Sequence, residues 1–321
     1  MRKLATHVCL LLVLGLAGAN AQSFPTRPVQ FIVPSSPAGI TDIAARFLGE
    51  RLSRIWGKQV VVENRPGGGG SIGVASVTRS TPDGYTLLTT TNAELALNPV
   101  INAKTKYDFN KDFVPLAMLT NNPIVVVVNA NTPYKTIGDL VAAAKSQPGQ
   151  IAWASPGVGT WNHMTGEWLA SALGIQLLHV PYRGGGPAGS AVAIGEVPVG
   201  VVAISSALPH VQSGRMRVLA LTTDHRSKVD PSWPTVAETV VPGFNSMQWV
   251  GLYAPAGIDA KLRDKIAADT LLALSDPELR NRFETAGAEV IGADGAAALK
   301  QLAIDTRIAT EVSKKANIHV E

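Results

Sequence analysis

The sequence predicts an α/β protein of two lobes, each built on a mainly parallel β-sheet that is flanked by helices. Along its 321 residues, β-branched runs alternate with amphipathic helical patterns, and glycine-rich turns separate them. Low-complexity segments and flexible linkers are absent from this sequence. We therefore expect the lobes to be joined by strands that cross from one to the other.

The first lobe begins with Val29–Val33, an apolar run with the composition of a buried strand. From Thr41, apolar residues recur at helical spacing as far as Trp56, which predicts a helix after the strand. The same order of strand, turn and helix then repeats. It predicts further strands over residues 60–63, 85–90 and 114–118, and a second helix over residues 71–78.

A second set of elements begins at the run Ile124–Val128. It predicts strands over residues 124–128, 151–154, 177–180, 199–204 and 217–222, and helices over residues 137–145, 162–173 and as far as residue 194. A strand over residues 249–253 and helices near residues 259–274, 277–286 and 295–315 follow. We assign residues 24–121 and 246–321 to lobe 1, and residues 122–245 to lobe 2.

Residues 1–21 contain the three parts of a secretory signal peptide. Arg2 and Lys3 form a basic start, residues 10–19 form a short apolar run, and Ala19–Ala21 supplies a small-x-small cleavage site. The apolar run is too short for a stable membrane span. We expect cleavage near Ala21 and a mature protein in the periplasm.

Composition excludes several kinds of site. The only cysteine, Cys9, lies in the predicted signal peptide, so the mature chain would have no disulfide and no cysteine-ligated metal. The formal net charge is +4, and the loss of Arg2 and Lys3 leaves about +2. The remaining lysines and arginines are scattered and form no block typical of a nucleic-acid face, so we expect no nucleic-acid partner.

Several loops that lead from a strand into a helix are rich in Gly, Pro, Ser and Thr, among them Pro34–Gly39 and Ser155–Thr160. A helix N-terminus carries unpaired N–H groups and a partial positive charge, which suit an anion. In α/β sheets such loops gather at the carboxyl ends of the strands, where ligands bind. A tight turn is the simpler explanation for any single loop. The whole set, converging on a cleft, favours an anion-binding site.

Enzyme and nucleotide motifs are missing from the sequence. It has no Gly-x-Ser-x-Gly nucleophile elbow, no P-loop lysine after Gly70, and no third glycine that would complete a dinucleotide fingerprint after Gly159. We predict no catalytic residue and no cofactor.

Three polar side chains near the loops have structural explanations. His163 and Glu167 lie at i,i+4 spacing, but no third ligand accompanies them, so we interpret them as bracing their helix instead of holding a metal. Asp42 falls in a first helical turn, where its carboxylate can hold amides of the preceding loop. The other histidines that follow the signal peptide are isolated in sequence. They are interpreted as packing or surface residues: His179, His210, His225 and His319.

Short motifs recur in one order over essentially the whole mature chain. They are Phe24–Pro28, Pro34–Asp42, Val62–Gly70, Thr81–Leu88, Ser155–Thr160 with His163 and Glu167, Val180–Gly184, Pro187 with Ala188, and Pro234–Glu238. Each motif is loose by itself. Together, and in this order, they resemble the Bug-type receptors of tripartite tricarboxylate transporters, which are periplasmic solute-binding proteins.

The resemblance implies a venus-flytrap fold of the type II periplasmic-binding class, in which amides, hydroxyls and waters hold a small carboxylated ligand in the cleft. Lobe 1 would contribute Ser35, Ser36, Ala38, Gly39 and Asp42 of its first loop, with Thr91 and Asn92 after the third strand. Lobe 2 would contribute Ser155, Gly157, Gly159, Thr160 and Trp161, with His163 as a brace and Ser205 and Ser206 as further polar contacts.

The chain departs from the family pattern around the cleft. Ser35 and Ser36 add hydroxyl groups to a loop that usually holds Pro, Gly and an aromatic residue. Trp161 occupies a position that is normally small and polar, where an indole would stack on a flat ligand or shrink the pocket. Pro198 stands where the family usually has an aspartate. These changes leave the ligand open among organic acids, including aromatic acids and amino acids.

The loops and the resemblance together predict a receptor and not an enzyme. We expect a periplasmic monomer that closes on a carboxylate and presents it to integral membrane transporter subunits. Two alternatives remain, a ligand sensor for a signalling partner and a periplasmic hydrolase on the same fold. A hydrolase would release a product, whereas receptor and sensor differ only in their partner.

Overall fold

A computed structural model describes residues 24–320, and the predicted signal peptide, residues 1–21, lies outside this range. None of the helices within it is long and apolar enough to cross a membrane. The strands are β1 (Val29–Val33), β2 (Val60–Asn64), β3 (Thr86–Thr91), β4 (Phe113–Asn122), β5 (Ile124–Asn129), β6 (Ala152–Ser155), β7 (Leu178–Pro181), β8 (Val199–Ala203), β9 (Met216–Leu221), β10 (Gln248–Pro255) and β11 (Glu289–Asp294).

The α-helices of the described residues connect these strands. In chain order they are α1 (Ile40–Trp56), α2 (Ser71–Val77), α3 (Asn98–Ile101), α4 (Phe109–Asp112), α5 (Ile137–Ser146), α6 (Trp161–Leu173), α7 (Gly185–Ile194), α8 (Ile204–Gln212), α9 (Val236–Thr239), α10 (Ala260–Leu274), α11 (Pro277–Thr285) and α12 (Gly295–Ala316). A 3₁₀ turn at Gly68–Gly70 precedes α2, and a π-helical turn at Ala93–Leu97 precedes α3.

The predicted two-lobed α/β class is confirmed, but both sheets are mixed instead of mainly parallel. Sheet 1 has the order β11-β4-β10-β3-β1-β2, and sheet 2 has the order β7-β6-β8-β5-β9. Every antiparallel pair contains β4, β5 or β10, whereas β1–β2, β1–β3, β6–β7 and β6–β8 are parallel. Each of these three strands lies next to a point where the chain crosses between the lobes. The helical crossover connections that keep neighbouring strands parallel therefore do not constrain their direction.

The chain crosses between the sheets at Pro123 and again between β9 and β10. Hydrogen bonds tie the two crossings together: Thr222 N donates to the Ile124 carbonyl at 3.0 Å, and Ser246 N donates to the Thr222 carbonyl at 2.8 Å. Two connections that lie side by side form one hinge region, which is the arrangement of proteins that close on a ligand.

The strands of each lobe divide their apolar side chains between two helical layers. In β1, Phe31 packs with α1, α10 and α11, whereas Ile32 packs with α2. In β5, Val125 packs with α7 and α8, whereas Val126 packs with α5 and α6. The cluster that contains Ile32 and Val126 continues from one lobe into the other because α12 packs against α6. The lobes therefore share a hydrophobic seam along α12.

Helix α8 is absent from the sequence prediction, which extends a strand to Ile204. The strand ends at Ala203 instead, and the helix begins at the next residue. Two features make α8 difficult to predict from the sequence: its N-cap residue is an alanine, and Pro209 lies in its interior. Strand β11 is also missing from the prediction, and its pairing with β4 is irregular between Val290 and Ala293.

A buried carboxylate links α12 to sheet 1. Asp305 is 3% exposed and accepts hydrogen bonds from Trp249 Nε1 at 2.8 Å, Asn92 Nδ2 at 2.9 Å and Gln301 Nε2 at 2.8 Å. Burial raises the pKa of Asp305 above its ordinary value, although these three hydrogen bonds oppose the rise. Asn92 also accepts a bond from Trp249 N at 3.3 Å, so the end of β3, β10 and α12 meet in one network.

We expect Asp305→Ala to lower the free energy of unfolding by about 3 kcal/mol, because buried donors on Trp249 and Asn92 would lose their acceptor. Urea denaturation measures this loss. The control is Asp264→Ala on an exposed part of α10, which should change the free energy by less than about 0.5 kcal/mol. Equal effects of the two substitutions would contradict the structural role of this network.

Candidate functional site

A cavity of about 580 Å³ lies between the lobes and is lined by residues of both. Lobe 1 lines it with Ala38, Gly39, Ile40, Ile43, Gln248 and Ala286. Lobe 2 lines it with Pro156, Thr160, Asn162, Gly185, Gly186, Ser190, Ala203, Ser205, Ser206, Pro209 and His210. We call this cavity the cleft.

Four helices, α1, α6, α7 and α8, begin at the wall of the cleft. Their N-caps at Gly39, Gly184 and Ala203 provide no side-chain acceptor for first-turn amides, whereas α6 is capped by Thr160, whose hydroxyl accepts from His163 N at 3.2 Å. Among the residues that the structure describes, no lysine or arginine lines the cleft. An anion in the cleft would therefore be stabilised by uncapped backbone amides and by the partial positive charge of helix N-termini.

The first loop at the cleft, Pro34–Gly39, is held in shape from behind by Asp42. Its carboxylate accepts a hydrogen bond from Ala38 N at 2.9 Å and forms an ion pair with Arg46, whose Nη2 lies at 2.9 Å. Ala38 has a φ of 66°, which costs a non-glycine residue about 1–2 kcal/mol, so this bond holds a strained turn. Burial alone would raise the pKa of Asp42, but hydrogen bonds from Arg46 and Ala38 keep it below its ordinary value. Asp42 therefore remains charged and positions the loop.

Helix α2 supports the same loop from its other side. A Cβ added to Gly73 would lie 2.6 Å from the Arg65 carbonyl oxygen and 2.7 Å from Pro34 Cα. Only glycine allows this close approach, so Gly73 lets α2 pack tightly against the loop. Ser35 is held here as well, because its carbonyl accepts a bond from Asn64 Nδ2 at 3.0 Å.

The second loop at the cleft, Ser155–Thr160, packs on a stack of aromatic rings. Ser155 is fully buried, and its Oγ lies 2.7 Å from His179 Nε2 and accepts from Gly157 N at 3.1 Å. The rings of His163 and His179 stack with centroids 4.0 Å apart, and Trp153 lies 4.5 Å beyond His179. His163 Nδ1 also accepts a bond from Gly159 N at 3.4 Å. The two histidines thus brace both ends of the loop.

Both histidines of the stack are neutral near neutral pH. Burial lowers the pKa of His163 to about 3, and the neighbouring His179 adds to this effect. Burial also lowers the pKa of His179 to about 4. The Glu167 carboxylate lies 3.9 Å from His163 Nε2, and burial raises its pKa. The sequence favours a structural brace over a metal site for this pair, and this interpretation stays a prediction.

The structure brings only some of the expected site residues to the cleft. Those on its wall are Ala38, Gly39, Thr160, Ser205 and Ser206. Others lie in or behind the two loops: Ser35, Ser36, Asp42, Ser155, Gly157, Gly159 and His163. Ser36 is exposed, and Ser35 Oγ is buried without a hydrogen-bond partner among the described residues.

Three expected contacts are held in buried networks instead. Asn92 is fully buried and occupied by Asp305 and Trp249, and Thr91 donates its N–H to the Glu94 carboxylate at 3.1 Å. Trp161 is 1% exposed and donates Nε1 to Ser246 Oγ at 3.2 Å. The indole of Trp161 is therefore part of the core beside the hinge and does not line the cleft.

Sequence reasoning did not identify several residues of the cleft wall. Asn162 is 3% exposed, and within residues 24–320 its Nδ2 has no hydrogen-bond partner. Its position in the first turn of a helix that follows a loop could have indicated a ligand contact. His210 was interpreted as a packing or surface residue but lines the cleft, and its buried Nδ1 also has no partner within the described part of the chain. No sequence signal pointed to His210, because α8 itself was not predicted.

The chain is similar in sequence to known receptors over most of its length. Residues 44–317 match the tripartite tricarboxylate transporter family receptor. The protein BugT of Bordetella pertussis (strain Tohama I) is 35% identical over 263 residues, which is 81% of each chain.

Two solved structures from Rhodopseudomonas palustris are similar in fold and sequence. Rpa4515, solved with adipate, is 27% identical with a TM-score of 0.82, covering 92% of this chain and 99% of that one. MatC, solved with bound malate, is 27% identical with a TM-score of 0.78, covering 90% of this chain and 99% of that one. The similarity in both cases extends over both lobes.

We expect Asp42→Ala to increase the amide hydrogen-exchange rate at Ala38 by about tenfold or more, because the Ala38 N–H would lose its acceptor. Nuclear magnetic resonance of the exchanging amides measures the change. Asp264→Ala serves as an exposed control and should leave Ala38 unaffected. Unchanged exchange at Ala38 in Asp42→Ala would show that another contact holds the loop.

The histidine stack predicts a loss of stability in acid. The unfolded histidines bind protons near their ordinary pKa of 6.5, but the folded ones do so only near about 3 and about 4. Between these values the unfolded state binds more protons, so stability is full above the unfolded pKa and falls as the pH decreases. Replacing His163 by Phe keeps an aromatic ring but removes one titrating group. We expect His163→Phe to lose less stability than wild type between about pH 7.5 and about pH 5 in urea denaturation.

The control for this comparison is His319→Phe, since His319 is exposed near the C-terminus. It should retain the full pH dependence of the wild type. A pH dependence that is the same in all three proteins would rule out the stack as its source.

Proposed function

Because the chain belongs to the tripartite tricarboxylate transporter receptor family, we propose that it is a periplasmic receptor that captures a small carboxylate in the cleft. It then presents this ligand to integral membrane subunits of a tripartite tricarboxylate-type transporter. The observation that supports capture best is the cleft itself, where uncapped helix N-termini of both lobes face one cavity whose wall, within the described residues, has no lysine or arginine.

In this proposal the ligand carboxylate is bound by neutral donors. A hydrogen bond to a charged group contributes about 1.5–3 kcal/mol, so several amides suffice without an ion pair. Asn162 adds a side-chain donor, since its buried Nδ2 lacks a partner within residues 24–320. Leaving such a donor unpaired costs about 1–3 kcal/mol, and a carboxylate oxygen of the ligand would remove this cost.

Closure of the lobes follows from the position of the cleft. A ligand that bonds to amides of both α1 and α7 stabilises the state in which the lobes are close together. The lobes already approach each other at two glycines. A Cβ added to Gly287 would lie 3.2 Å from Ser205 Cβ, and one added to Gly159 would lie 3.0 Å from Ile101 Cδ1. These small residues permit close contact between the lobes.

One contact resembles part of a hydrolase site: Ser155 Oγ lies 2.7 Å from His179 Nε2. A nucleophilic serine has to reach a substrate carbonyl, whereas Ser155 is 0% exposed and its hydroxyl is engaged by the loop amide of Gly157. The pair therefore fits a structural brace. A signalling sensor would use the same cleft and differ from a transport receptor only in its partner.

The proposed function is tested by calorimetry and thermal shift with mono-, di- and tricarboxylates and aromatic acids. We expect stoichiometric binding of at least one acid, a higher melting temperature and no product. If no carboxylate binds at millimolar concentration, capture is ruled out. Deleting the gene in its host should abolish uptake of the acid that binds best; normal uptake with a lost transcriptional response would favour the sensor.

We expect Asn162→Ala to weaken binding of that acid by about tenfold, because a buried donor to the ligand is removed. Titration calorimetry measures the affinity. The matched control is Asn281→Ala, which changes an exposed asparagine on α11 and should bind as the wild type does. Wild-type affinity in Asn162→Ala would exclude this residue as a ligand contact.

A further inference from the structure

The wall of the cleft contains one ionisable side chain among the described residues, that of His210. It lies on α8 one helical turn beyond Ser206, which also lines the cleft. Four residues of α-helix correspond to about 6 Å along the axis, so His210 lies well away from the N-terminus of α8. The cleft wall thus has a second polar position, separate from the helix N-termini.

His210 Nδ1 is buried and has no hydrogen-bond partner within residues 24–320. A buried polar atom of this kind normally has a partner, because leaving it unpaired is unfavourable. The backbone around His210 is satisfied, since its carbonyl accepts from Arg215 N at 2.9 Å. The imidazole therefore has hydrogen-bonding capacity that no described residue uses.

We propose that His210 recognises a second acidic group of the ligand and takes up a proton when it does so. This inference rests on the proposed function, because it assigns the far end of the same cleft. A ligand with two carboxylates brings two negative charges to a wall that, in the described residues, has no lysine or arginine. The helix N-termini offer only partial charges, so protonation of His210 is the way for this wall to gain a full positive charge.

The surroundings of His210 support this coupling. Helix α7, which packs on α8 with Gly189 next to the His210 ring, has no titratable residue. The side chains on the opposite wall of the cleft that belong to lobe 1 are uncharged. They include Ile40, Ile43, Gln248 and Ala286. Near Ala286, Arg282 and Glu284 are engaged with Glu50 and Lys228. The side chain of Arg215 donates to Ser213 Oγ, and Arg183 is exposed and does not line the cleft.

Without a ligand the imidazole is held neutral. Burial lowers the pKa of His210 below its ordinary value, and the charge of Arg215 adds to this effect. A carboxylate placed next to the ring favours the protonated form and raises the pKa. Binding of a dicarboxylate should therefore consume protons from solution near neutral pH, and its affinity should increase as the pH falls. Binding of a monocarboxylate should consume no protons, and its affinity should not increase as the pH falls.

The experiment compares adipate with hexanoate, which has the same six-carbon chain but lacks the second carboxylate. Titration calorimetry in two buffers of different ionisation enthalpy gives the number of protons taken up on binding. For the wild type near neutral pH we expect uptake of a fraction of one proton with adipate and none with hexanoate. In His210→Asn, adipate should bind about 10- to 100-fold more weakly and without proton uptake, whereas hexanoate should bind as before.

The matched control is His319→Asn, because His319 is exposed near the C-terminus and should leave proton uptake unchanged. Adipate binding to the wild type without proton uptake would overturn this inference and leave carboxylate capture standing; this measurement needs no variant to fold. Retained proton uptake in His210→Asn would overturn it as well. If none of the carboxylates binds to the wild type, the proposed function fails, and the inference fails with it.

Discussion

In the proposed receptor the cleft binds an anion through backbone amides, and the shape of its loops is then the constraint on which the rest of the site depends. Amides are effective donors only when the backbone points them at the ligand, so each loop needs a rigid support behind it. In lobe 1 the support is the charged Asp42, which holds the strained turn at Ala38. In lobe 2 it is the neutral stack of His163 and His179, which holds Ser155 and Gly159. A charged side chain therefore supports the first loop, whereas uncharged side chains support the second.

A wall without lysine or arginine in the described residues also affects selectivity. Helix N-termini accept any small anion that reaches them, so they distinguish ligands poorly by themselves. Discrimination then depends on positions with side-chain polarity, and the wall has two whose buried nitrogen lacks a partner in residues 24–320, Asn162 and His210. In our proposals Asn162 serves the first carboxylate and His210 the second acidic group. The structures of Rpa4515 with adipate and of MatC with malate show that this fold accommodates dicarboxylates in other proteins.

Much of the architecture could be predicted from the sequence, because it depends on local patterns. The family inferred from the ordered motifs is confirmed, and the three C-terminal helices begin and end within one residue of their predicted bounds. Prediction was least successful where distant segments meet. Thr91, Asn92 and Trp161 follow a strand or begin a helix, as ligand contacts often do, yet Glu94, Asp305 and Ser246 engage them. The site residues as a set stay predictions until binding is measured.

The sequence by itself determined the class of protein, since alternating apolar periodicity specifies strands and helices and the order of the loop motifs specifies the family. It also determined that the loops Pro34–Gly39 and Ser155–Thr160 contain no charged residue. Only the tertiary structure decided which polar groups line the cleft. Asn162 and His210 come from different helices, and their unpaired nitrogens are recognisable only when every neighbour is in place. Hydrogen-bond satisfaction is a property of the packed chain, so no local pattern could have shown that these two nitrogens lack a partner.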